Sequence, residues 1–157
     1  MPAEYVWTDG ANEDFRRFYL ITEQYYNSVA GGKKNRERFI PYNLSSAVED
    51  VLLVYEDGRA AACAGLKRYS EEEAEIKRVW VEPACRGRHI ATEMMRKIEE
   101  KARMKGYKRT ILQTRENMAD AVALYTGLGY RRTACYPPYD RLEGAVCFAK
   151  DLRAGRP

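Results

Sequence analysis

The chain has 157 residues, 45% of them apolar and 32% charged, with a net charge of +4. This is the profile of one globular domain spanning residues 1–157; it excludes a disordered tail and two ordinary domains. The charge is too mild to require nucleic acid as a partner, yet it attracts phosphate-bearing small molecules.

No apolar run is long enough to cross a bilayer, and Met1-Pro2-Ala3-Glu4-Tyr5 lacks the basic and apolar regions of a signal peptide. A cytoplasmic protein with no membrane partner is therefore expected. The four cysteines, Cys63, Cys85, Cys135 and Cys147, contain no Cys-x-x-Cys pair. They read as reduced thiols, neither a zinc site nor a disulfide framework. The single histidine, His89, excludes a site that needs two imidazoles, and no metal is expected.

In chain order, apolar positions at Phe15, Phe18, Tyr19, Ile21 (or Thr22), Tyr25 and Tyr26 recur near helical period over residues 12–29. Asn12 or Asp14 stands at the helix start and Gly31-Gly32 closes it. Lys33 to Arg38 is a basic stretch that opens a short second helix, interrupted by Pro41. Val51 to Tyr55 is an apolar strand, Glu56-Asp57-Gly58-Arg59 a hairpin turn, and Ala60 to Tyr69 the returning strand. Ser70 to Glu73 turns again, and Ala74 to Val81 forms a third strand that stops at Pro83.

A basic, glycine-containing turn follows, Arg86-Gly87-Arg88-His89, and then the clearest helix of the chain. Ile90, Met94, Ile98 and Ala102 recur at spacing four, with Gly106 as the stop. Its outer face is expected to hold Arg96, Lys97, Glu99, Glu100 and Lys101, with pairs Glu93–Lys97 and Arg96–Glu100. Thr110 to Thr114 is a strand, Ala119 to Leu128 a helix capped by Gly129, and Tyr130 to Thr133 a short strand. Tyr136-Pro137-Pro138-Tyr139 is a rigid loop, and Ala145 to Leu152 closes the chain as a strand. Antiparallel hairpins followed by alternating strands and helices predict an α/β fold with one mixed sheet flanked by helices.

A helix entered from a tight turn points several backbone N–H groups, and the positive end of its dipole, at whatever lies before it. Arg86 and Arg88 add charge at that spot. The turn reads as a pyrophosphate cradle.

Arg86-Gly87-Arg88-His89-Ile90-Ala91 resembles motif A of the GCN5-related N-acetyltransferase (GNAT) superfamily, Arg/Gln-x-x-Gly-x-Gly/Ala. Ala121-Val122-Ala123-Leu124-Tyr125-Thr126-Gly127-Leu128-Gly129-Tyr130 resembles its Ala-x-x-Leu-Tyr-x-x-x-Gly-Phe/Tyr helix. The element order matches that fold over essentially the full length, as in a small bacterial subgroup. The resemblance implies a twisted, mostly antiparallel sheet of six to seven strands, a parallel pair at the coenzyme A cleft and about four helices. It implies acetyl-CoA as co-substrate, held by the backbone of Arg86, Gly87, Arg88, His89, Ile90 and Ala91, with Thr92 and Asn117 nearby. Val79, Trp80 and Val81 would pair with the pantetheine arm, and Tyr125 would sit beside the sulfur. His89 departs from the motif, where glycine is usual; a glycine tolerates positive φ, and histidine does not without cost. Met118 departs at a helix-start position that often holds asparagine, with Asn117 as the alternative cap.

Acetyl transfer to an amine needs a neutral amine, donors for the developing oxyanion, and a proton or hydrogen bond for the leaving thiolate. Tyr125 is the candidate at the leaving group. A free phenol (pKa about 10) does not readily protonate a thiolate (about 8.5), so a hydrogen bond that strengthens with charge is its role. The alternative is a tyrosine packed in the core. Glu75 is the candidate base, sharing a strand face with Lys77, Val79 and Val81, against a solvated glutamate paired with a lysine. Arg36, Lys77 and Arg78 are candidates for a substrate carboxylate, or solvated surface. Tyr136 and Tyr139 line the acceptor pocket or pack the last hairpin. Cys85 and His89, four apart at a helix start where a thiol is acidified, lack a third orienting residue for a hydrolase.

The expected function is acetyl-CoA-dependent transfer to a primary amine of a small molecule, such as an amino acid or related metabolite, by a monomer or homodimer. The alternatives are a protein or peptide amine, or a non-catalytic acyl-CoA sensor.

Overall fold

The structure, a computed structural model, describes residues 3–29 and 47–153. The expectations for Gly31-Gly32, Lys33 to Arg38 (with Arg36) and Pro41 lie outside those residues. The elements are β1 (Glu4–Thr8), α1 (Glu13–Val29), β2 (Asp50–Glu56), β3 (Arg59–Arg68), β4 (Glu73–Val81), α2 (Ile90–Met104), β5 (Arg109–Arg115), α3 (Ala119–Gly127), β6 (Arg131–Thr133) and β7 (Ala145–Asp151). They build one seven-stranded sheet in the order β1-β2-β3-β4-β5-β7-β6. Its neighbours are antiparallel except β4 and β5, which run parallel. The mixed sheet and its parallel pair are as expected; β1, which pairs with β2, is an addition.

Local chemistry sets the boundaries. Asn12 Oδ1 accepts from the amides of Asp14 (2.8 Å) and Phe15 (3.2 Å), capping α1. The β2–β3 hairpin turns through Asp57 (φ 51°) and Gly58 (φ 77°), the two successive positive dihedrals that an Asp-Gly turn supplies. α2 ends at Gly106 (φ 90°), where Tyr107 N–H donates back to Ala102 O at 3.0 Å.

One core lies between the sheet and α2 and α3, with Met94, Met95, Ile98 and Ala102 completely buried. A smaller one lies under α1, around Phe15, Phe18, Val51, Leu53 and Cys63. Full burial of each large apolar side chain contributes roughly 1.5–3 kcal/mol.

Glu99 is 5% exposed rather than on the outer face. It accepts from Lys150 Nζ at 2.8 Å and Tyr130 Oη at 2.9 Å, two long-range donors that make its burial tolerable. Arg96 pairs with Glu93, one turn earlier, and Glu100 with Arg103, in place of the expected Arg96–Glu100 pair; Glu93–Lys97 is present at 3.9 Å. Cys135 and Cys147 form a disulfide with Cα atoms 5.0 Å apart, while Cys63 and Cys85 are free. The β6–β7 ladder ends with Thr133 opposite Cys147, and the chain leaves the ladder there, so Cys135 lies against Cys147 rather than across from Ala145.

Candidate active site

The parallel pair opens the molecule. β4 and β5 are registered only at Glu73–Arg109, Ala74–Thr110 and Glu75–Ile111; beyond these residues the strands part. β4 also carries a bulge. Its register against β3 shifts between Cys63 and Gly65, and Arg78 there has φ 56°. Gly65 is required opposite, because a Cβ would lie 2.6 Å from Val48 Cγ1.

The bulge overturns the simple alternation. Ala74, Ile76, Val79 and Val81 all pack in the α2-side core. Arg78 instead reaches α1, donating to Thr22 Oγ1 at 3.1 Å, pairing with Glu23 and stacking on Tyr19 at 4.2 Å. Val79 and Val81 therefore do not share a face with Glu75 and Lys77. The side chains of Glu75, Lys77 and Arg78 are buried rather than solvated, at 8%, 6% and 3% exposure.

Two cavities meet where the strands part. The larger, about 560 Å³, is lined by Val79 to Val81, Cys85 to Gly87, His89 to Thr92 and Asn117 to Ala121. Every residue expected at the cofactor lines it except Arg88, whose guanidinium turns away to make two bonds with Glu56, at 2.9 and 3.0 Å. Arg86 stays, its Nε donating to Val81 O at 2.8 Å and its guanidinium lying 4.9 Å from the Trp80 ring.

The floor of this cavity is the start of α2. Glu93 N–H makes the first backbone bond into the helix, to His89 O at 3.1 Å, and no side chain caps it. The amides of Ile90, Ala91 and Thr92 belong to the first turn, where a helix has no acceptors of its own for them. His89 adopts φ 62°, the left-handed conformation that glycine takes freely. Gly87 has φ 83° and nothing within 4 Å of where a Cβ would stand. Such a turn fits a diphosphate. Cys85 is not acidified by its position; burial and the neighbouring Glu56 push its thiol up.

The smaller cavity, about 120 Å³, is lined by Glu75 to Val79, Leu112 to Arg115, Tyr139 and Leu142 among others. Tyr136 Oη donates to Glu75 Oε2 at 2.8 Å, Lys77 Nζ lies 3.6 Å from Glu75 Oε1, and Lys77 donates to Tyr139 Oη at 3.0 Å. The rings of Tyr136 and Tyr139 meet edge-on, with centroids 5.6 Å apart. Burial lowers the Lys77 pKa to about 8, against the opposing pull of Glu75. Burial, then the charge of Glu75, holds the Tyr136 phenol far above its usual range, so it remains a donor. Val79, Met118, Ala121 and Tyr125 line both cavities. Tyr125 is 7% exposed, its ring set against Tyr130 and Phe148. Gln113, Thr114 and Leu142 carry no signal of a site in the sequence and become visible only once the splay of β5 from β4 is known.

The chain matches the sequence model of the Acetyltransferase (GNAT) family over residues 6–130. It belongs to that family. A curated relative, "IAA acetyltransferase" of Azospirillum brasilense, is 29% identical over 89 residues, 56% of this chain. The match spans 58% of that relative's length. Among solved structures, a candidate acyl-CoA N-acyltransferase from Klebsiella pneumoniae superposes with a TM-score of 0.80 at 22% identity, covering 96% of this chain and 97% of that one. A GNAT family acetyltransferase from Elizabethkingia anophelis with acetyl-CoA bound superposes with a TM-score of 0.68 at 15% identity, covering 95% and 97%. At these identities the likeness is one of fold. Among the described residues no helix is long and apolar enough to cross a membrane.

Proposed function

We propose that this GNAT acetyltransferase uses acetyl-CoA to acetylate the primary amine of a small molecule, such as an amino acid or related metabolite. One observation carries the reading: the wall containing Tyr125 is shared by a large cavity that starts at an uncapped helix N-terminus and a small polar cavity. The acetyl-CoA bound to the Elizabethkingia structure supports the donor. The smaller cavity's about 120 Å³ favours a compact acceptor over a protein side chain with its flanking backbone.

When bound, acetyl-CoA supplies a thioester, an activated acetyl group whose leaving thiolate needs stabilisation. The amides of Ile90, Ala91 and Thr92 and the turn at Gly87 hold the diphosphate. Val79 to Val81, unpaired by β5 at this level, offer an edge for the pantetheine amides. Tyr125 donates a hydrogen bond to the sulfur. Glu75, oriented by Tyr136, takes the proton of the incoming ammonium, directly or through water, and Lys77 holds an acceptor carboxylate or the charge of Glu75 itself.

The test is coenzyme A release across a panel of amino acids, polyamines and peptides. Turnover restricted to small amines supports the proposal. Turnover only on peptides, or coenzyme A binding without any turnover, contradicts it.

A further inference from the structure

Tyr139 is a wall between two spaces. On one side is the small cavity with Glu75 and Lys77. On the other is a third cavity of about 300 Å³, lined by Arg132, Cys135, Asp140, Leu142 and Cys147 among others. Both disulfide sulfurs thus belong to residues that border an open space, and the same bridge borders the residue that closes the acceptor end.

The bridge joins Cys135, just past β6, to Cys147 in β7, and the loop it closes carries Tyr136 and Tyr139. Cys135, Tyr136 and Leu142 pack around Tyr139 and Cys147 as one cluster. The loop's backbone bonds are mostly turns within itself, Tyr139 N–H to Tyr136 O and Leu142 N–H to Tyr139 O. Outside them the backbone is tied by Tyr69 Oη to Pro137 O at 3.0 Å, an exposed bond, and at the far end by Arg115 to Glu143 O at 3.5 Å and Glu116 N–H to Gly144 O. At the Cys135 end the disulfide is the covalent hold.

We propose that Cys135–Cys147 is a thiol–disulfide exchange site for a low-molecular-weight thiol, and that opening it releases Tyr136 and Tyr139 from Glu75 and Lys77. The coupling to turnover rests on the reading that the small cavity takes the acceptor. The incoming thiolate attacks Sγ of Cys135, the half-exposed partner, forming a mixed disulfide and expelling the Cys147 thiolate, which takes a proton from water. A second thiol attacks the mixed disulfide at the sulfur contributed by the first, releasing Cys135 as a thiolate that is protonated in turn. Two electrons and two protons pass to the protein, and the two small thiols leave joined as a disulfide. Neither free cysteine offers a rival partner: Cys63 is fully buried on the α1 side of the sheet, and Cys85 lines the larger cavity.

The experiment uses the whole chain, purified in air and then treated with reduced glutathione. Alkylation after denaturation is expected to label two of the four cysteines before treatment and all four after it. Tryptic cleavage after the exposed Arg141, inside the loop, is expected to accelerate on reduction. Acceptor kcat/KM, followed by mass spectrometry of the acetylated product, falls by about 10- to 100-fold, the cost of misplaced positioning groups. Coenzyme A affinity by calorimetry stays unchanged, and C135S behaves as the reduced protein with or without glutathione. Four labelled cysteines in the air-oxidised protein overturn the proposal, as do unchanged Arg141 cleavage or unchanged turnover after reduction. If no amine is turned over at all, the acetylation reading fails, while the labelling and cleavage still decide the exchange site.

Discussion

Tyr136 reaches across 61 positions of sequence to donate its hydroxyl proton to Glu75 Oε2 at 2.8 Å. A buried carboxylate is held at one oxygen by a neutral donor and neighboured at the other by a lysine, so it is oriented without being locked into a tight ion pair. Tyr136→Phe leaves that oxygen without its donor. The variant is expected to lose acceptor turnover with coenzyme A affinity intact, and about 1–3 kcal/mol of stability, measured by steady-state kinetics, calorimetry and chemical denaturation.

At Tyr125, the Phe variant keeps the ring contacts to Tyr130 and Phe148 and removes the hydroxyl alone. Loss of a hydrogen bond to a charged sulfur, roughly 1.5–3 kcal/mol, lowers kcat about 10- to 100-fold in steady-state kinetics. A kcat equal to wild type makes Tyr125 a packing residue.

Lys77 gives a pH signature. In the folded chain it releases its proton near pH 8, and in the unfolded chain near its ordinary 10.5. Between those values the unfolded state binds more protons, so this residue's contribution to stability rises with pH. The half-buried phenol of Tyr55, pushed up to about 12, acts the other way above 10. The melting temperature of wild type relative to Lys77→Met should therefore be flat below pH 8 and climb from pH 8 to 10. A flat difference throughout contradicts the lowered value.

His89 stands at φ 62°. His89→Gly fits that backbone and is expected to keep the melting temperature. His89→Ile forces a β-branched residue into the left-handed region and costs about 1–2 kcal/mol. Calorimetric melting of the two variants separates backbone demand from any role of the imidazole.

Glu99 tests the hidden polar network of the core. Removing its cation with Lys150→Met strands a buried carboxylate and should cost about 3 kcal/mol in denaturant unfolding. The double variant Glu99→Met/Lys150→Met is expected to be more stable than that single one.

What the sequence discloses follows the range of the physics involved. The Asp57-Gly58 turn, the Asn12 cap and the α2 stripe are local, each fixed within a few residues, and each is where the sequence puts it. The parallel pair and the seven-stranded sheet follow from element order and the family resemblance. β1 is missed because its burial runs without clean alternation at the sheet edge. The bulge at Arg78 answers to Gly65 on the neighbouring strand, so reading β4 alone assigns Val79 and Val81 to the wrong face. Glu99 reads as surface because Lys150, its partner, lies 51 positions away. The same holds for the Cys135–Cys147 bridge and for the Tyr136–Glu75 bond, both products of tertiary register.

The decisive measurement is a crystal structure grown with saturating coenzyme A. Assignment of the two cavities to donor and acceptor requires the diphosphate against the amides from Gly87 to Thr92 and the sulfur within hydrogen-bonding distance of Tyr125 Oη. Coenzyme A bound elsewhere, or a sulfur turned away from the wall that the two cavities share, would contradict it.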